Sequence, residues 1–160
     1  MPSKNKIRKL AASPGKMKLY FLKHLPMAFL AGLKIEEIDA GKAVVSLPYK
    51  YLTKNPFRSV YFAALSMAAE LSSGILALAA IHDFSQPVSM LVLEMKAGFL
   101  KKARTKIFFK CEGGSKISGA IAKSIETGEG QTVEVFTSGT DESGETVAEF
   151  SFTWTFKPKS

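Results

Sequence analysis

The chain is short of the residues that most often announce chemistry. Its 160 residues include one cysteine, Cys111, so no internal disulfide can form and no thiolate cage can hold a metal. A lone thiol in a strand-like run reads as a small core residue, and its scarcity suits a reducing compartment, the cytoplasm. The two histidines, His24 and His82, have no metal-ligand company, so no metal site is expected. No Ser-His-Asp arrangement stands out, and Gly113-Gly114 lacks the lysine-bearing helix start of a phosphate-cradling loop. Acidic residues are absent before Glu36, whereas Lys4, Lys6, Arg8, Lys9, Lys16, Lys18 and Lys23 all fall there. Lys18, Lys23, His24 and Pro26 break the early apolar run, which therefore does not read as a secretory signal.

What is present describes a folded protein. Hydrophobic residues make up 46% and charged residues 22%, ordinary shares for a chain with a packed core. The expected organisation is a disordered basic tail over residues 1–12 and a single domain over 13–160. The net charge of +8 favours anionic partners.

The organising stretch is SVYFAALSMAAELSSGILALAAI, Ser59 to Ile81, with Glu70 as its single charge. It is long enough to span a bilayer. However, it is rich in Ala, Ser and Gly, and a carboxylate at mid-depth costs about 3 kcal/mol on insertion. A helix buried in a wrapped sheet fits better, with Ser59 as its cap. Ala63, Ser66, Met67, Glu70, Ser73, Gly74 and Ala77 share one helical face, mostly of small residues, that admits a strand, a second subunit or a ligand.

Around that helix the pattern predicts strands. Ser13-Pro14 starts a helix that breaks near Pro26. GLKIEEIDAGKAVVSLP (32–48) reads as a hairpin, and Asn55-Pro56 as a turn. Val88 to Leu100 is long and apolar, as expected of a strand covered on both faces. Thr105–Glu112 alternates. Ile117, Ile121 and Ile125 predict a short amphipathic helix. Gln131–Thr140 and Glu145–Lys157 form a second hairpin whose last strand turns Ala148, Phe150, Phe152, Trp154 and Phe156 inward. The fold class is α+β: a long central helix wrapped by a curved, mostly antiparallel sheet of about six strands.

LPYKYLTKNPFRSVYFAALSMAAELSSG, residues 47–74, and FLKKA at Phe99–Ala103 resemble the hotdog-fold thioesterase superfamily, in particular its thioesterase-like branch known as a domain of unknown function. The resemblance extends from about residue 17 to 157. In active members a loop Asn precedes a His-Gly-Gly signature at the helix start, and a carboxylate follows on the helix. Here Asn55 stands in the loop, Tyr61-Phe62-Ala63 replaces the signature, and Glu70 takes the carboxylate position. The resemblance implies an acyl-CoA or acyl-carrier-protein thioesterase, built as a homodimer or a dimer of dimers. Its sites would lie at the subunit interface, with Asn55 and Glu70 coming from different subunits. Coenzyme A would enter only as part of the substrate, with no further cofactor.

The chemistry needs a group to activate water or to attack directly, and donors for the developing oxyanion. Glu70 is the candidate base or nucleophile and Asn55 the orienting group. Ser59, Val60, Tyr61 and Phe62 would present the helix N-terminus to the substrate, with Ser66 and Ser73 beside Glu70. Lys101, Lys102 and Arg104 would meet the phosphates of coenzyme A. Loss of the His-Gly-Gly signature motivates a second reading, a non-catalytic acyl- or CoA-binding module. The charge motivates a third, in which the tail holds an anionic membrane or nucleic acid. Nucleic acid is disfavoured because the aromatics alternate toward a core and are not interleaved with basic residues.

Overall fold

The structure is a computed structural model that describes residues 5–160. The chain runs α1 (Lys6–Ala11), α2 (Pro14–His24), α3 (Pro26–Ala31), β1 (Lys34–Ile38), β2 (Ala43–Leu47), α4 (Phe62–Ile81), β3 (Val88–Phe99), β4 (Ile107–Cys111), α5 (Gly114–Thr127), β5 (Gln131–Thr140) and β6 (Thr146–Pro158). The six strands form one antiparallel sheet in the order β1-β2-β4-β5-β6-β3. The long helix α4 packs against β2, β4, β5 and β6. This is the expected helix wrapped by a six-stranded sheet.

Alternation explains the core. On β6, Phe150, Phe152, Trp154 and Phe156 are buried while Glu149 and Lys157 face solvent, the two-residue period of a sheet with one covered face. Cys111 is buried with Ile107 and Phe109 on β4, and burial raises its thiol pKa, which suits an inert core residue. α4 is long and apolar enough to cross a membrane, but its buried residues run from Ala64 to Ala80 inside the fold. Two polar contacts fix its rotation. Ser72 Oγ lies 2.9 Å from the Thr137 hydroxyl on β5, and Trp154 Nε1 donates to Ser73 Oγ at 3.0 Å. At the other end of the sheet, a Cβ on Gly114 would lie 2.1 Å from the Ala40 carbonyl oxygen. Only glycine lets the β1–β2 turn reach the start of α5.

Three expectations are corrected. Residues 5–12 are not a disordered tail, and residues 1–4 lie outside the described residues. Asn5 caps α1 by accepting from the Ile7 and Arg8 N–H groups, and its Nδ2 donates to the Ala79 carbonyl at 2.6 Å and to Asp83 at 2.8 Å. Arg8 makes a two-pronged contact with Asp83, and Ile7 is buried. A basic helix is thereby bolted to the far end of α4. Secondly, Ser59 is not the cap of α4. The helix starts at Phe62, and the stretch before it is extended, with Val60 N–H donating to the Ala103 carbonyl and Tyr61 N–H to the Thr53 carbonyl.

Thirdly, β3 is not covered on both faces. It is an edge strand paired only with β6. Leu91, Leu93, Met95 and Phe99 are about half exposed or more. An apolar edge strand of 12 residues with one unpaired side is the kind of surface proteins normally blunt or cover.

Candidate active site

The loop before α4 is held by one side chain. Asn55 Oδ1 accepts from the N–H of Phe57 at 3.0 Å, from the N–H of Ser59 at 3.2 Å and from the Ser59 hydroxyl at 3.1 Å. Its backbone N–H closes the loop on the Ser59 carbonyl at 2.8 Å. Pro56 and the left-handed Arg58, at φ 58°, complete a turn that Asn is suited to organise. The oxygen of Asn55 is therefore fully engaged. Its Nδ2 makes one long contact, 3.4 Å to the Val60 carbonyl, and so retains donor capacity toward the adjacent cleft.

That cleft, about 570 Å³, is lined by Asn55, Phe57, Ser59, Val60, Tyr61 and Phe62 on one side and by Phe99, Leu100, Lys101 and Lys102 on the other. At its floor α4 begins. Tyr61 takes the cap position without a side-chain bond to the helix. The N–H groups of Phe62 and Ala63 have no acceptor among the described residues. Two free donors at the positive end of a 20-residue helix favour an oxygen carrying negative charge.

Glu70 is elsewhere. It lines a separate cavity of about 170 Å³ beneath the α2–α3 corner, with His24, Leu25, Met27, Met67 and Leu71. Gly74, one turn on, leaves the space its carboxylate fills: a Cβ there would approach Glu70 Oε1 to 2.9 Å and the Trp154 ring to 3.4 Å. Among the described residues the Glu70 carboxylate has no hydrogen bond or ion pair. Burial alone raises its pKa, since the neutral acid is easier to desolvate.

The folded chain therefore keeps the Glu70 proton to a higher pH than the unfolded chain. The associated stability is whole below the ordinary carboxylate range and is lost as pH climbs through the raised pKa. The melting temperature of the native chain is expected to fall relative to Glu70→Gln as pH is raised from the ordinary carboxylate range through the raised Glu70 pKa. A constant difference across that range would contradict the assignment.

The expected site residues thus divide. Asn55, Ser59, Val60, Tyr61, Phe62, Lys101 and Lys102 meet in the cleft, whereas Glu70 does not join them within one chain. Ser66 donates to the Phe62 carbonyl at 2.9 Å, and Ser73, buried, donates to the Glu70 carbonyl at 3.0 Å while accepting from Trp154. Both hydroxyls serve the helix. Lys101 pairs with Glu145 and lies 3.8 Å from Asp141; Lys102 sits over the Phe57 ring; Arg104 is exposed outside the cleft. Phe57 and Phe99 lie in the stretches that carry the resemblance but were not among the expected site residues, because an aromatic on a loop or strand carries no mark of a cleft. Among the described residues no cluster of three or more His, Cys, Asp or Glu could hold a metal.

A domain of unknown function, DUF4442, matches residues 16–156. The chain belongs to this family. Among solved structures, a Pseudomonas aeruginosa protein of unknown function named as a probable thioesterase is similar at 23% identity and TM-score 0.76, with 92% of this chain and 97% of that one covered. A Haemophilus influenzae thioesterase is similar at 11% identity and TM-score 0.64, with 91% of each chain covered. A Staphylococcus aureus thioesterase, solved as variants with a glutamate or a glutamine replaced by alanine, is similar at 14% identity and TM-scores of 0.60 and 0.63, with 83% of this chain and 99% of that one covered. No curated protein matches the sequence. This DUF4442 chain thus has the hotdog fold of proteins described as thioesterases.

Proposed function

We propose that this DUF4442 protein hydrolyses an acyl thioester, of coenzyme A or of an acyl-carrier protein, at two sites per homodimer. The observation that carries the reading is the division of the site. The free helix donors and Asn55 open into one cleft, and an unpartnered carboxylate, Glu70, lines another. The unpaired edge of β3, with its apolar side chains about half exposed, would join two copies edge to edge. Each Glu70 would then face the cleft of the other subunit. In support, the glutamine and glutamate replaced in the Staphylococcus aureus variants stand fifteen positions apart, the separation of Asn55 and Glu70. Two such dimers could pair into a tetramer.

In the reaction, Glu70 takes a proton from water as the oxygen attacks the thioester carbonyl carbon. The carbonyl oxygen gains negative charge against the N–H groups of Phe62 and Ala63, and Asn55 Nδ2 holds the water or the carbonyl. Collapse expels the thiolate, which receives the proton from Glu70, leaving a carboxylic acid and free thiol. Direct attack by Glu70, with hydrolysis of the resulting anhydride, gives the same products. Ser59 and Val60 shape the cleft floor, and Tyr61 and Phe62 pack on the acyl chain. Lys102 and Arg104, with Lys101 exchanging its acidic partners, meet the phosphates. No cofactor is required beyond coenzyme A in the substrate, and the cytoplasm supplies such thioesters.

The test is thiol release from a panel of acyl-CoAs by the purified protein, with release above blank expected for at least one chain length. Asn55→Asp keeps the three bonds accepted by Oδ1 and removes the Nδ2 donor. It is expected to melt close to the native temperature and to lose about 10²-fold in kcat, the cost of one such donor. Native turnover in that variant would remove Asn55 from the site. Phe62, standing where the resemblance places the first glycine of a His-Gly-Gly signature, supports a second reading, an acyl- or CoA-binding module. Calorimetric binding of acyl-CoA without thiol release would establish it in place of the enzyme.

A further inference from the structure

We propose that the outer face of α2 seats this protein reversibly on an anionic lipid surface. Met17 and Phe21 turn inward and are buried, whereas Leu19 and Leu22 are 66% and 51% exposed. Helical spacing sets these two leucines on the side away from the core, flanked by Lys16, Lys18 and Lys23. α1, packed against α2, adds the exposed Lys6 and Lys9. None of these five lysines is in an ion pair among the described residues. Residues 5–35 contain no acid at all.

A single exposed leucine would call for no explanation. A leucine ridge between lysines, on helices that carry no acid, matches a bilayer's outer layer: aliphatic side chains enter the acyl boundary while ammonium groups stay at the headgroups. The charge argues against a second copy as the occupant. A two-fold contact sets the same patch against itself, so it would oppose lysine to lysine with no carboxylate on α1 or α2 to answer them. The aliphatic ridge argues against a nucleic acid, since it offers bases no aromatic face to stack on. The α1 segment, expected from sequence to be the basic contact, contributes charge as a docked helix, and α2 supplies the apolar part. The proposal involves none of the residues of the thioester site and stands or falls separately from it.

Vesicle flotation tests it, with the full chain and phosphatidylcholine vesicles made with or without phosphatidylglycerol. Binding is expected only with phosphatidylglycerol and is expected to weaken as salt is raised. Leu19→Ser with Leu22→Ser should weaken partitioning about tenfold. Lys16→Glu, Lys18→Glu and Lys23→Glu together should weaken it about a hundredfold. Should the serine variant fail to fold, Leu19→Trp serves instead: its emission should shift to the blue on anionic vesicles only. The proposal is overturned by absence of binding to anionic vesicles, by undiminished binding of a folded serine variant, or by an unshifted Leu19→Trp. A change of oligomer mass in the serine variant would also overturn it, since that would assign the ridge to a second copy.

Discussion

Glu70→Gln is expected to lower kcat for thioester hydrolysis by about 10²- to 10⁴-fold, the range spanned by loss of a positioned general base, with little change in KM. The carboxamide fills the same volume beside Gly74 and Trp154, so the cavity is preserved. Because the carboxylate has no partner among the described residues, its replacement strands no buried charge. A structural role for Glu70 would leave kcat untouched. In the native protein, kcat/KM should rise with pH through the Glu70 ionisation, displaced above the ordinary carboxylate range by burial. The Glu70→Gln residue of activity should lack that limb. A native-like rate in the variant, or the same pH limb in both, would remove Glu70 from the chemistry.

Leu93→Lys combined with Met95→Lys is expected to convert a dimer to a monomer by light scattering and to lower kcat/KM by at least about 10³-fold, since it separates groups that must act together. Neither side chain belongs to the monomer's core: they are 55% and 47% exposed on the edge strand. Far-UV circular dichroism should therefore show a folded chain. Two charges placed on an unpaired edge oppose further strand addition. A monomeric variant with native turnover would mean that each chain carries a complete site.

Much of the fold was legible in residue patterns. One charge in an apolar run marked both α4 and Glu70, and strict alternation marked the aromatic face of β6. What was not legible depended on which surfaces meet. β3 looked doubly covered because an apolar strand reads the same whether or not its own chain covers it. α1 looked like a tail because its lysines dominate it, while the contacts that dock it, from Asn5 to Ala79 and from Arg8 to Asp83, join residues more than 70 positions apart. Ser59 looked like a cap because a serine before an apolar run usually is one. Here Asn55 claims its hydroxyl and the chain stays extended for two further residues. The resemblance, and not the spacing, assigned Asn55 and Glu70 to one site with each coming from a different subunit; that one chain sends them to different cavities is read from the fold.

That division makes the central claim directly measurable. Asn55→Asp and Glu70→Gln chains, carrying different affinity tags, can be co-expressed and the mixed dimer isolated through both. If each site draws Asn55 from one subunit and Glu70 from the other, the mixed dimer holds one site with both defects and one with none. It should then recover about half of the native kcat per dimer, although each mutant homodimer is nearly inactive. If both residues act within one chain, every site in the mixed dimer carries a defect, and activity no higher than that of the homodimers would contradict the account.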